Sequence, residues 1–215
     1  QCLVGSEMCI RDSLICTEAG WMRIRRVKVQ DQRYQNMGKE LEKEEYRCLV
    51  RSARDAGQEQ LAMIMETICA TGIRISELKF FHTGNVKKGI IKVWNKGKYR
   101  LVLIPEKLRK KLLMYIAANQ IKDGPVFCTR TGREKDRSNI WKEMKKLSKL
   151  AGIDPGKVFP HNLRHLFART FYKTTKNLIN LADILGHSNL EVTRIYTSEG
   201  IEQWRKNLEK LELIE

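Results

Sequence analysis

The 215-residue sequence predicts an α+β domain: mostly helical, with a small antiparallel β-sheet inserted near residues 85–104. Three observations carry that prediction. Apolar residues recur at helical spacing over most of the chain after Lys39. One stretch, Ile90 to Ile104, has strand-forming residues on both sides of Asn95-Lys96-Gly97-Lys98. The hydrophobic fraction is 42% and the charged fraction 31%. That composition can build a core without disulfide or metal staples, and it is neither disordered nor collagen-like.

The first 13 residues, QCLVGSEMCIRDS, begin with Gln and match nothing that follows. They resemble a translated sequencing-adapter remnant and are read as non-native. Residues 14–38 are polar and basic, with Arg23, Arg25, Arg26 and Lys28, and read as a linker or arm. From Lys39 the pattern turns helical. Glu40, Glu42, Glu44 and Glu45 load a first turn, which suits the positive end of a helix dipole. Leu61, Ile64, Met65 and Ile68 should face a core until Thr71-Gly72 interrupts. Ile75 to Phe81 reads as a short helix and Gly89 as a turn. Ile90 to Trp94 and Tyr99 to Ile104 are the two strands, the second ending before Pro105. Helix follows over 106–118, with Leu108, Leu112, Leu113 and Ile116 as its stripe. Ser138 can cap a basic helix over 139–151, and Pro160 precedes another over 161–173. Asn177–Leu185, Leu190–Tyr196 and Ile201–Leu213 complete the set.

Lys and Arg number 41 against 25 Asp and Glu, a formal net charge of +16. From Ile91 to Leu150 there are 17 basic and 5 acidic residues, so +12 falls within 60 residues. Like charges packed this densely repel unless an anion offsets them, which points to a polyanion and first to nucleic acid. No apolar run reaches the roughly 18 residues of a membrane span, and no membrane partner is expected. The six cysteines form no CxxC and no Cys/His zinc spacing, and nothing resembles a signal peptide. A reducing, cytoplasmic location is expected.

Six residues stand out together: Arg74, Lys96, His161, Arg164, His187 and Tyr196. Each alone has a plain structural reading. Arg74 could be a surface residue, and Lys96 a turn lysine with Lys98 as its rival. His161 and Arg164, three apart, share a helix face. His187 could cap a helix, and a lone Tyr196 is more often a packed ring than a nucleophile.

Their settings change the balance. Thr71-Gly72-Ile73-Arg74-Ile75-Ser76-Glu77-Leu78, Asn95-Lys96-Gly97-Lys98-Tyr99-Arg100, His161-Asn162-Leu163-Arg164-His165-Leu166-Phe167-Ala168, Leu185-Gly186-His187-Ser188 and Thr193-Arg194-Ile195-Tyr196 follow one another along the chain. In order and spacing they resemble the catalytic domain of the tyrosine recombinases, the phage-integrase family. The likeness runs from about Lys39 to Tyr196.

The resemblance implies the fold of a DNA breaking-and-rejoining enzyme over 39–198, followed by a C-terminal helix over 199–215. It also implies a mechanism. Tyr196 attacks the phosphorus of double-stranded DNA, giving a 3′-phosphotyrosyl bond and a free 5′-hydroxyl. Tyrosine titrates at about 10, so it must lose its proton as it attacks, and His161 is the acceptor. Arg74 and Arg164 clamp the non-bridging oxygens with planar, permanently charged forks. Lys96 protonates the 5′-oxygen, and His187 donates to a phosphate oxygen. Covalent storage of the bond energy dispenses with ATP and metal, so no cofactor and no metal ligand is expected. Lys98 and Arg100 are expected on backbone phosphate, and Glu77 as a partner that orients an arginine. His165 is read as pointing off the His161–Arg164 face.

Ile201, Trp204, Leu208 and Leu211 give the last helix an apolar stripe. It would dock on its own domain or, as the family suggests, on a neighbouring protomer in a tetramer on DNA. Accessory DNA-bending or directionality factors are possible further partners. Most members carry an N-terminal core-binding domain of about 100 residues, so the reading frame is expected to be truncated. Two alternatives remain open at this point: a DNA-binding relative without catalysis, and a type IB topoisomerase, which relaxes supercoils by the same chemistry. Replacing Tyr196 by Phe separates the first from a recombinase. The small size disfavours the second.

Overall fold

A computed structural model describes residues 40–95, 98–129 and 131–186, together with the backbone of 14–17 and 20–23. Lys96, Arg130, and the segments before residue 14 and after Gly186 therefore lie outside the described residues, as do the expected helices at 190–196 and 201–213.

Within residues 1–34 two short strands, β1 (Leu14–Thr17) and β2 (Gly20–Arg23), pair antiparallel with Leu14 opposite Arg23. The linker expected there thus contains a hairpin.

The second unit begins with α1 (Lys43–Asp55). Helix starts later than the acidic run suggests, because Glu40 and Leu41 are used elsewhere. The Glu40 carboxylate and the Leu41 carbonyl both accept from the Arg169 guanidinium. Glu42 caps the helix, its amide donating to the Glu45 carboxylate at 2.8 Å. Ala56-Gly57 turns the chain into α2 (Glu59–Thr71). This helix is buried nearly all round, through Leu61, Ala62, Met63, Ile64, Met65 and Ile68. Its two buried threonines are satisfied internally, Thr67 and Thr71 donating to the carbonyls four residues back at 2.7 and 2.6 Å. α1 and the helices over 106–118, 137–150 and 160–175 all pack against it.

After α2 comes a 3₁₀ helix (Ile75–Phe80), then α3 (Thr83–Lys88), an element without a clear periodic signal. Strands β3 (Ile90–Asn95) and β4 (Lys98–Leu103) pair antiparallel with Ile90 opposite Leu103 and Asn95 opposite Lys98. Period-two alternation turns Ile91, Val93 and Val102 into the core, and Arg100 shares their face. α4 (Glu106–Ala118) matches the expected bounds.

α5 (Arg137–Leu150) starts one residue before Ser138. The cap is Asp136 instead, which accepts the Ser138 amide at 2.7 Å, so Ser138 is the capped residue. α6 (Pro160–Thr175) opens with Pro160 in the first turn, where its missing N–H costs nothing. α7 (Leu178–Leu185) is capped by Asn177 and closed by Gly186 in the left-handed region, φ 64°. α6 and α7 share a satellite cluster of Ala168, Leu181 and Leu185, flanked by Phe167, Phe171 and Tyr172. No helix among the described residues is long and apolar enough to cross a membrane.

Candidate active site

The site forms where α2, β4, α6 and α7 converge. α2 ends at Gly72, in the left-handed region at φ 65°. A Cβ there would lie 2.4 Å from Cδ1 of Phe167, so only glycine lets α2 end against α6. Two residues on, Arg74 caps the 3₁₀ helix. Its amide donates to Glu77 Oε2 at 2.8 Å and its Nη1 to Glu77 Oε1 at 3.1 Å. Glu77 is buried. Burial alone would raise its pKa. The Arg74 amide and the charges of Arg100, Arg74 and Arg164 outweigh burial and hold the carboxyl below its ordinary value.

Arg100, expected on backbone phosphate, turns into the fold. Its side chain is only 12% exposed and pairs with Glu77 through Nη2. Its Nη1 donates to the carbonyl of Ile184, in the last turn of α7. Gly186 makes that approach possible, since a Cβ there would stand 2.6 Å from Arg100 Cδ. Lys98, the other expected phosphate contact, opens β4 opposite Asn95.

α6 supplies three more groups. Arg164 is 3% exposed. Its Nη1 donates to the Gly72 carbonyl at 2.6 Å and its Nη2 to the Leu185 carbonyl at 2.8 Å. One planar fork therefore ties together the ends of α2 and α7, where partial negative charge collects. His161 stands one turn earlier. Partial burial, then the charges of Arg164 and Arg74, lower its pKa and favour neutral imidazole. His165 corrects the sequence reading: its Nε2 lies 2.7 Å from His161 Nε2, with the rings nearly perpendicular at 81°. The i, i+4 spacing of the two histidines was the available signal. A hydrogen bond between two imidazoles requires one N–H donor and one bare acceptor.

Arg74, His161 and Arg164 are thus brought to one place, with Glu77 and Arg100 behind them. Two guanidiniums pair with the one carboxylate and the charge of Arg164 also acts on it, which leaves the cluster positive. Planar cationic forks beside a neutral imidazole suit an anion with several oxygens and a proton that must move. Lys96, His187 and Tyr196 lie outside the described residues.

A mostly helical domain with one β-hairpin and this basic cluster is the catalytic-domain fold of the tyrosine recombinases. Superposition on a crystal structure of a XerA recombinase gives a TM-score of 0.67 at 26% identity, covering 82% of this chain and 64% of that one. A XerH site-specific recombinase bound to its difH substrate, in a pre-cleavage complex, gives 0.67 at 23% identity over 82% and 55% of the two chains. In sequence, the tyrosine recombinase XerH of Campylobacter jejuni is 36% identical over 141 residues, 63% of this chain and 40% of that protein. The model of the phage integrase family matches residues 39–202, and the chain belongs to that family. It spans well under two thirds of the length of that curated relative.

Proposed function

We propose that the chain is the catalytic domain of a site-specific DNA recombinase. The observation that carries this reading is that Arg164 and His161 on α6 are brought to the Gly72–Arg74 segment, with Arg164 donating to the Gly72 carbonyl 92 residues earlier in the chain. The family membership and the +12 excess over Ile91 to Leu150 support double-stranded DNA as the substrate.

In this reading the Tyr196 phenolic oxygen forms a bond to phosphorus as the bond from phosphorus to the 5′-oxygen breaks. The phenol proton goes to His161, whose lowered pKa keeps it neutral and ready to accept. Arg74 and Arg164 offset the charge that builds on the non-bridging oxygens. Lys96 gives a proton to the departing 5′-oxygen, His187 donates to a phosphate oxygen, and Lys98 holds the neighbouring backbone. The phosphotyrosine stores the bond energy until a 5′-hydroxyl of another strand reverses the step. A cytoplasmic location fits a DNA substrate, and residues 199–215 would join copies in a tetramer on DNA.

The test is a suicide assay. Nicked duplexes with randomised core sequence are mixed with the protein, and a denaturation-resistant protein–DNA adduct is sought. The expected result is an adduct that Tyr196→Phe abolishes while salt-sensitive DNA binding persists. An adduct that survives Tyr196→Phe overturns the nucleophile. Binding that disappears with it overturns the site.

A further inference from the structure

Arg100 does not behave as a surface cation. It holds three segments at once. It belongs to β4, four residues after Lys96. It pairs with Glu77, which in turn holds both the amide and the guanidinium of Arg74. It donates to the Ile184 carbonyl, three residues before His187. The arrangement is built for this side chain. The Glu77 side chain is 2% exposed, so the pair is desolvated on the carboxylate side. Gly186 has no Cβ where one would strike Arg100 Cδ at 2.6 Å. A helix end also presents unpaired carbonyls that favour a cation. No monodentate cation could serve here. The Glu77 carboxylate and the Ile184 carbonyl lie on different elements, and only a fork reaches both.

From this we infer that Arg100 is a positioning residue for the leaving-group proton. It locks the β3–β4 hairpin, whose connecting sequence contains Lys96, to the Arg74 segment through Glu77 and to the end of α7. It does so from inside the fold, with its side chain 12% exposed. The inference rests on the proposed role of Lys96 as the acid that protonates the 5′-oxygen.

The chemistry of the leaving group tests it. A substrate with sulfur in place of the bridging 5′-oxygen is cleaved as follows: the bond from Tyr196 to phosphorus forms, the phosphorus–sulfur bond breaks, and the electron pair departs as a thiolate. A thiolate leaves without a proton, so a missing or misplaced acid no longer matters. The probes are the randomised nicked pool with oxygen and the same pool with sulfur at the scissile position. Lys96→Ala, Arg100→Gln, Arg100→Lys and Arg164→Lys are compared with the parent chain by rate of adduct formation.

Arg100→Gln is expected to slow the oxygen substrate by about 10²-fold and the sulfur substrate by no more than about threefold, as Lys96→Ala does. Arg100→Lys, with charge but no fork, should fall between Arg100→Gln and the parent. Arg164→Lys acts on non-bridging oxygens and should lose rate on both substrates alike. Equal losses on oxygen and sulfur for Arg100→Gln, or no loss, overturn the inference while Lys96→Ala rescue leaves the acid role standing. If sulfur does not rescue Lys96→Ala, or the parent chain forms no adduct, the reading of Lys96 falls and the inference with it. Amide hydrogen exchange gives a readout without turnover. Exchange in residues 90–104 and 181–186 should rise in Arg100→Gln while α2 stays protected, and an unchanged pattern overturns the lock.

Discussion

Replacing Glu77 by Gln removes one negative charge from between two guanidiniums, and its cost can be worked from exposure. The carboxylate side chain is 2% exposed, its Arg100 partner 12% and its Arg74 partner 37%. Removing one member of a buried pair leaves the other desolvated and uncompensated, at about 3–5 kcal/mol. The Arg74 arm reaches water and adds less than about 1 kcal/mol. Glutamine keeps an acceptor for the Arg74 amide, now 2.8 Å from the carboxylate, and retains roughly 1 kcal/mol. The net expectation is a loss of about 3 kcal/mol from a total of about 5–15 kcal/mol. Urea melts at neutral pH, with unchanged slope, should show the midpoint falling by about 1 M or more. The pH dependence supplies a second readout. The Glu77 carboxyl is held below its ordinary value of 4.5, so its contribution is fully present above that value. It is lost as pH falls through the lower folded value. The gap between the parent chain and Glu77→Gln should therefore be widest near neutrality and narrow as pH drops below 4.5. A loss under about 1 kcal/mol at neutral pH would refute the view that the Glu77–Arg100 pair is desolvated.

Gly72→Ala meets both a positive φ and a ring 2.4 Å from the new methyl, and should destabilise by about 2–4 kcal/mol in the same melts. Arg164→Lys cannot reach the Gly72 and Leu185 carbonyls together; one is left buried and unpaired, at about 1–3 kcal/mol by thermal or urea melting. Because burial and two arginines lower the His161 pKa, the acid limb of adduct formation should fall below the ordinary imidazole value of 6.5, and a limb at or above it in a pH series would contradict the acceptor role.

Much of the fold was legible because it is locally encoded. α4 and the β3–β4 hairpin follow from periodicity and turn residues within a dozen positions. α3 was missed because six residues with Gly84 and two lysines carry no stripe. The late start of α1 was missed because Glu40 and Leu41 answer to Arg169, 129 and 128 residues away. Ser138 reads as a cap because nothing local ranks Asp136 above it. At the site, the arginine and histidine boxes were legible as motifs.

The sequence by itself determined which residue types stand at which spacings, and so the family, the helical frame and the candidates Arg74, His161 and Arg164. Only the tertiary structure decided what those side chains hold. Arg164 reaches a carbonyl 92 residues back, and Arg100 one 84 residues ahead. Arg100 and Lys98 look alike along β4 as cations two residues apart. Strand alternation treats positions 98 and 100 alike; the packing of Glu77 and the end of α7 against β4 is what gives Arg100 a buried carboxylate and a helix carbonyl. Periodicity describes one segment at a time, while a guanidinium's partners depend on how several segments pack.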